Sequence, residues 1–152
     1  MEQVTLSPFY IVGVSVRTSN AAGKSAIDIP ELWAKFSTEN IAAKLKNRLG
    51  DEVYSVYTDY EGDYTQPYTT VIGYAVENLG QIPEGMQGIA ITGGPYQKHT
   101  LKGNMNEGLV YNAWLDIWKS DVSRAYTADF EVYGEKAQNR EAAEVHIFIA
   151  VS

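Results

Sequence analysis

Asp129, Glu131 and Tyr133 occupy every second position of the stretch Thr127 to Tyr133, with Phe130 and Val132 between them. Successive side chains of an extended chain point to opposite sides, so one face carries two carboxylates and a phenol and the other is apolar. A polar strand face ordinarily meets water. A second use is open to this one, because the chain holds 11 tyrosines, 3 tryptophans and 4 phenylalanines in 152 residues. A carboxylate projecting into an aromatic-lined groove suits a ligand that is partly apolar and partly cationic. Its desolvation is costly while it stands alone, so a cation gains by pairing with it. Glu131 is the residue placed for that role. If chemistry accompanies binding, Glu131 acts as base or charge stabiliser beside a tyrosine hydroxyl. Water attack on a strained electrophile asks for little more.

Other chemistries find little support. The absence of cysteine removes disulfides, thiolate metal sites and cysteine nucleophiles, and it leans toward a reducing, cytoplasmic setting. His99 and His146 are isolated and lack metal-ligand spacing, so neither a metal nor another cofactor is expected. Gly23-Lys24-Ser25 resembles the end of a phosphate-binding loop, but Thr18 stands where the leading glycine is needed. Gly13-Val14-Ser15-Val16-Arg17 lacks the second glycine of a nucleophile elbow. A formal charge of −7 disfavours nucleic acid, which asks for clustered Lys and Arg. Met1 to Pro8 carries no apolar core of signal length, and no apolar run approaches the ~20 residues of a membrane span.

The elements that must hold Glu131 follow from periodicity. Phe9 to Arg17 is β-branched and reads as a strand, followed by a polar loop to Ser25. Asp28-Ile29-Pro30 starts a helix, with the proline near its first position, and Leu32, Trp33 and Phe36 give it an apolar face. Ile41, Leu45 and Leu49 continue that helix at i, i+4 spacing until Gly50 ends it. Strands follow over Val53–Tyr60 and Tyr68–Val76, joined by the turn Glu61-Gly62-Asp63. Gly88–Thr92 is a further strand stopped by Gly93-Gly94-Pro95, with Tyr96 to Gly103 as a loop. Leu109 to Ser120 is a second helix with Val110, Trp114, Ile117 and Trp118 on one stripe. The strand around Glu131 and an apolar strand from Val145 to Val151 close the chain.

This order gives a single domain over 1–152 in the α+β class. Two β-α-β-β repeats, about 9–76 and 87–151, are expected to pair around a pseudo-twofold axis. They would form an antiparallel sheet with the helices on one side and a central groove at the seam. Thr58-Asp59-Tyr60-Glu61 echoes the stretch around Glu131, although Glu61 sits at a turn and is expected to meet solvent. Tyr54, Tyr57, Tyr68, Tyr74 and Tyr133 are the better pocket candidates, since tyrosine joins a stacking face to a polar tip. Trp33, Phe36, Trp114 and Trp118 serve either core or groove wall.

The chain resembles the GyrI-like small-molecule-binding superfamily, the effector-binding module of bacterial transcription activators. The likeness rests on Ile11-Val12-Gly13, on Ile29-Pro30-Glu31-Leu32-Trp33-Ala34-Lys35-Phe36 and on Tyr57-Thr58-Asp59-Tyr60-Glu61. It continues through the strand from Tyr68 to Gly73, Ile82-Pro83-Glu84-Gly85, Trp114-Leu115-Asp116-Ile117-Trp118 and Asp129-Phe130-Glu131-Val132-Tyr133. The resemblance implies that an acidic residue on the strand before the last, here Glu131, faces the groove and meets cationic aromatic ligands. It implies a stand-alone binding module, because the chain shows no basic helix that would serve a DNA-binding segment. The expected partner is a hydrophobic or cationic small molecule, with a protein partner left open. Trp33, Phe36, Tyr57, Tyr68, Trp114, Trp118, Glu131 and Tyr133 form the candidate ligand-binding set. The alternative that the resemblance offers is hydrolysis of strained cyclopropane rings in DNA-alkylating compounds, again at Glu131.

Overall fold

A computed structural model describes residues 2–152. Eight strands form one sheet: β1 (Glu2–Leu6), β2 (Phe9–Thr18), β3 (Val53–Thr58), β4 (Tyr68–Val76), β5 (Gln87–Ile91), β6 (Gly94–Gly103), β7 (Ala128–Tyr133) and β8 (Ala143–Ala150). Their order is β1-β6-β8-β7-β3-β4-β2-β5, and every neighbouring pair is antiparallel. The helices are α1 (Ser25–Thr38), α2 (Ile41–Lys44) and α3 (Leu109–Lys119). This is the antiparallel α+β architecture expected from the sequence.

Alternation along the strands sorts their residues onto two faces. Val12, Val14 and Ile72 meet Leu32, Ile41 and Leu45 beneath α1 and α2, while Ile147 and Ile149 meet Trp114 and Ile117 beneath α3. The opposite face gathers Ile11, Val56, Ile91, Tyr96, Phe130 and Ala150 into one cluster. Those residues come from both ends of the sheet, so the sheet curls until its ends close over a shared core. Gly13 and Gly73, paired between β2 and β4, make the curl possible. A Cβ on either would lie 2.0 Å from a carbonyl oxygen of the opposite strand.

The midpoint of the strand order is the β7–β3 pair, where Glu131 stands opposite Ser55. Outward from it lie β8, β6 and β1 on one side and β4, β2 and β5 on the other. The strand read at Gly88–Thr92 is β5, which pairs with β2 at the end of the sheet. β6 occupies the stretch expected to be a loop; its polar composition hides a strand whose backbone is paired with both β1 and β8. β1 lies in the N-terminal segment, where the sequence pattern predicts no element.

The helix assignment also changes. α1 begins at Ser25, so Pro30 is its sixth residue rather than near its first. Pro30 has no N–H, so the Ala26 carbonyl loses its intrahelical donor. The helix does not run on to Gly50: Asn40, at φ 50, adopts the left-handed conformation and separates α1 from the single turn of α2. Leu49, expected on the apolar helix face, is 61% exposed.

Candidate functional site

β7 sends Phe130 and Val132 into the core of the curled sheet and turns Asp129, Glu131 and Tyr133 toward the helix-bearing face. Glu131 is only 2% exposed, yet its carboxylate is fully engaged. Tyr57 Oη donates to Oε2 at 2.8 Å, Trp114 Nε1 donates to the same oxygen at 2.7 Å, and Tyr133 Oη donates to Oε1. Ser55, across the strand pair, donates its hydroxyl to Tyr57 Oη at 3.2 Å and so fixes the phenol that serves Glu131. Tyr57 and Tyr133 each lie two residues beyond the Ser55–Glu131 pair on their own strand, on the same face. One cross-strand register therefore delivers two of the three donors.

Burial raises the Glu131 carboxyl above its ordinary value, and the bonds from Tyr133, Tyr57 and Trp114 oppose that rise. The same burial, with the Glu131 charge added, lifts the Tyr57 and Tyr133 phenols well above theirs. Both phenols accordingly act as hydrogen-bond donors at neutral pH.

A cavity of about 330 Å³ opens beside this cluster. α1 lines it with Ala26, Ile29, Pro30 and Trp33, whose spacing puts them on one helical face. α3 contributes Val110, Tyr111, Trp114 and Trp118, again at i, i+3/i+4 intervals. The sheet supplies Tyr57, Tyr68, Glu131 and Tyr133 as the floor. Asn20, Tyr60, Tyr64 and Arg124 enter from connecting segments. The rings pack largely edge to face: Trp33 on Tyr133 at 5.2 Å and Tyr57 on Trp114 at 5.4 Å. Tyr64 stacks flat on Trp118 at 5.5 Å.

Seven of the eight expected residues thus converge on one cavity. Phe36 does not line it: one turn beyond Trp33, it packs against the Tyr74 ring at 5.5 Å within the α1 core. Tyr74 itself lies there, beneath the Arg48 guanidinium at 5.1 Å, and Tyr54 sits on the opposite face against Phe9 and Phe130. Glu61 lies in the exposed turn after β3, as its sequence context suggested. His99 lies in β6, bonded to Gln97 at 2.7 Å, and His146 in β8 contacts Glu144 at 3.4 Å. Among the described residues no group of three His, Cys, Asp or Glu is placed to hold a metal, and no helix is long and apolar enough to cross a membrane.

Sequence reasoning missed a second polar cluster. The Arg124 guanidinium pairs with Asp129 Oδ2 through Nη2 at 2.6 Å, with both side chains almost fully buried. Tyr60 Oη donates to the same oxygen at 2.6 Å, and the Ala150 N–H bonds Asp129 Oδ1 at 2.9 Å. Arg124 lies in an irregular segment with no periodic signal. The one available hint was Asp129, which as a buried carboxylate requires a partner.

A carboxylate held by phenol and indole donors inside an aromatic cavity is the geometry of a small-molecule site. Residues 2–151 match the family model described as Cass2, integron-associated effector binding protein. The chain belongs to this effector-binding family. A crystal structure of an integron cassette protein from the mobile metagenome of Vibrio cholerae is 29% identical, with a TM-score of 0.78 over 99% of this chain and 95% of that one. YobU of Bacillus subtilis (strain 168), whose name assigns it provisionally to the transcriptional regulators, is 29% identical over 143 residues, 91% of this chain and 89% of its own. SAV2435, solved with tetraphenylphosphonium bound, shares the fold at a TM-score of 0.74 and 15% identity, with 99% of this chain and 93% of that one covered. The Cass2 match and these folds agree with the GyrI-like superfamily resemblance.

Proposed function

We propose that this Cass2-family protein binds hydrophobic monocations with aromatic character, and that Glu131 is the charge partner. The carrying observation is the buried Glu131 carboxylate, held by Tyr57, Trp114 and Tyr133 at the floor of a cavity of about 330 Å³. Its negative charge has hydrogen-bond donors but no cation beside it among its contacts, so a cationic ligand supplies the missing counter-charge in a low-dielectric site. The rings of Trp33, Tyr68 and Trp118 line the cavity and supply aromatic surface for cation–π and stacking contacts with a delocalised cation. The tetraphenylphosphonium bound by SAV2435 is a compound of this class. The walls are mainly rings and aliphatic groups, which accept varied shapes and suit binding of several drug-like cations. Effector binding of this kind would serve transcription regulation in a bacterial cytoplasm.

The hydrolase alternative uses the same carboxylate as base toward water. Glu131 accepts two bonds on Oε2 and one on Oε1, so one of its roughly four lone-pair sites stays open to a water. Binding is the favoured reading because it accounts for the aromatic walls and the uncompensated charge without a reaction. A panel of cationic dyes and cyclopropane-containing alkylators, followed by tryptophan fluorescence and mass spectrometry, tests it. Saturable quenching with ligand recovered unchanged is expected. A hydrated, ring-opened product would replace binding by hydrolysis.

A further inference from the structure

β2 ends at Thr18, which pairs with Tyr68, the first residue of β4, and the chain leaves that end of the sheet through Asn20. The Asn20 side chain meets the Tyr68 phenol there. Tyr68 Oη donates to Asn20 Oδ1 at 2.7 Å, and Asn20 Nδ2 donates to the Tyr64 carbonyl oxygen at 2.8 Å. The first bond fixes the orientation of the amide, because an oxygen engaged by the phenol leaves the NH2 end for Tyr64. Asn20, Tyr64 and Tyr68 all line the cavity. One side chain thus joins the cavity floor to the segment between β3 and β4.

That segment is closed at its base, where the Glu61 N–H bonds the Pro67 carbonyl at 2.9 Å. Asp63 Oδ1 accepts from the Thr65 N–H at 2.9 Å and shapes the tip from within. Glu61, Gly62, Asp63, Thr65 and Gln66 are exposed, while Tyr64 between them is half-buried. So exposed a tip buries little apolar surface of its own, and such segments sit at the low-stability end of a fold. Tyr64 is held from two sides. Asn20 bonds its backbone, and its ring stacks on Trp118 of α3 with centroids 5.5 Å apart and planes 6° from parallel.

We propose that Asn20 is a positioning residue for ligand binding: it holds Tyr64 in place as a cavity wall before an aromatic ligand arrives. The inference rests on the reading of the cavity as a ligand site, and not on the charge of Glu131. Without the amide, each ligand would have to order Tyr64 itself, at a cost in affinity. The bond reaches the backbone of Tyr64, so it survives truncation of the ring. Its value to a ligand does not, because no ring is left to hold.

A double-mutant cycle tests this, read by calorimetry on the whole chain with tetraphenylphosphonium and neutral triphenylphosphine oxide. Asn20→Ala should weaken both compounds by about three- to tenfold, the usual cost of ordering one large side chain on binding. The same substitution made in Tyr64→Ala should weaken them by less than about twofold, and in Tyr64→Phe, which keeps the ring, by the full amount. Its effect on melting temperature should be alike in all three backgrounds, since the backbone bond is lost in each. No loss of affinity in Asn20→Ala, or an equal loss with and without the Tyr64 ring, would overturn the inference. The amide would then act through Tyr68 or through stability alone. Should Asn20→Ala not fold, amide order parameters of residues 61–66 in the wild type decide. Equal values with and without ligand support a wall ordered beforehand, and a rise on binding overturns it. Binding of the neutral compound alone would refute the cation reading while the cycle still tests Asn20, and binding of neither compound would overturn both.

Discussion

Trp114 Nε1 donates to Glu131 Oε2 at 2.7 Å, and this bond ties α3 to the central strand pair across the cavity wall. The indole both lines the cavity and holds the carboxylate. Trp114→Phe keeps an aromatic wall and removes the donor. Unfolding in urea should then show a loss of about 1.5–3 kcal/mol at neutral pH, the usual worth of a bond to a charged group. A variant as stable as the wild type would mean that the indole acts through packing alone.

The pH dependence of Glu131 follows from its raised carboxyl. A carboxyl whose folded pKa lies above the unfolded value favours folding when protonated. Its contribution is full below the ordinary value of 4.5 and is lost as pH rises through the folded pKa. Glu131→Gln should therefore be at least as stable as the wild type at pH 7.5, with the difference shrinking as pH falls toward 4.5. Binding of a permanently charged cation runs the other way and should weaken in the wild type as pH falls through the same window. Thermal melts and titrations at several pH values measure both slopes.

Trp33 and Phe36 separate binding from folding. Trp33 lines the cavity and packs on Tyr133, whereas Phe36 packs on Tyr74 beneath α1. Trp33→Leu should weaken ligand binding by roughly 1–2 kcal/mol through the lost ring face. Phe36→Leu should lower stability by about 1–1.5 kcal/mol and leave affinity unchanged. Equal effects of both on affinity would show that the cavity extends further along α1.

Much of this arrangement was legible in the sequence because alternation and helical spacing are local signals. Asp129, Glu131 and Tyr133 alternate with Phe130 and Val132, and β7 keeps that alternation. Val110, Trp114 and Trp118 mark one helical face, and α3 presents it to the cavity. Non-local determinants were hidden. β6 forms because β1 and β8 pair with its backbone, which its polar side chains do not announce. Ile41 and Leu45 continue the spacing of α1, but left-handed Asn40 breaks the helix between them and Phe36. Ser55 stands opposite Glu131, a register that only strand pairing sets. Arg124 reaches the cavity from irregular backbone, where no periodicity exists to read.

Gly13→Ala tests the curl that brings the two ends of the sheet together. The added methyl would lie 2.0 Å from the Ile72 carbonyl oxygen, and backbone cannot yield cheaply there. A loss of about 3 kcal/mol or more, or failure to fold, is expected. Normal yield and melting temperature would show that β2 and β4 have room to separate.

Glu131 is tested most directly by calorimetric titration of the wild type and Glu131→Gln with tetraphenylphosphonium and with neutral triphenylphosphine oxide. The substitution keeps shape and most hydrogen bonding while removing the charge. Affinity for the cation should fall by roughly 1.5–3 kcal/mol, and affinity for the neutral compound should change far less. Glu61→Gln, in the exposed turn, should leave both affinities unchanged. Equal losses for the two ligands, or a larger loss at Glu61 than at Glu131, would contradict the assignment of Glu131 as the charge partner.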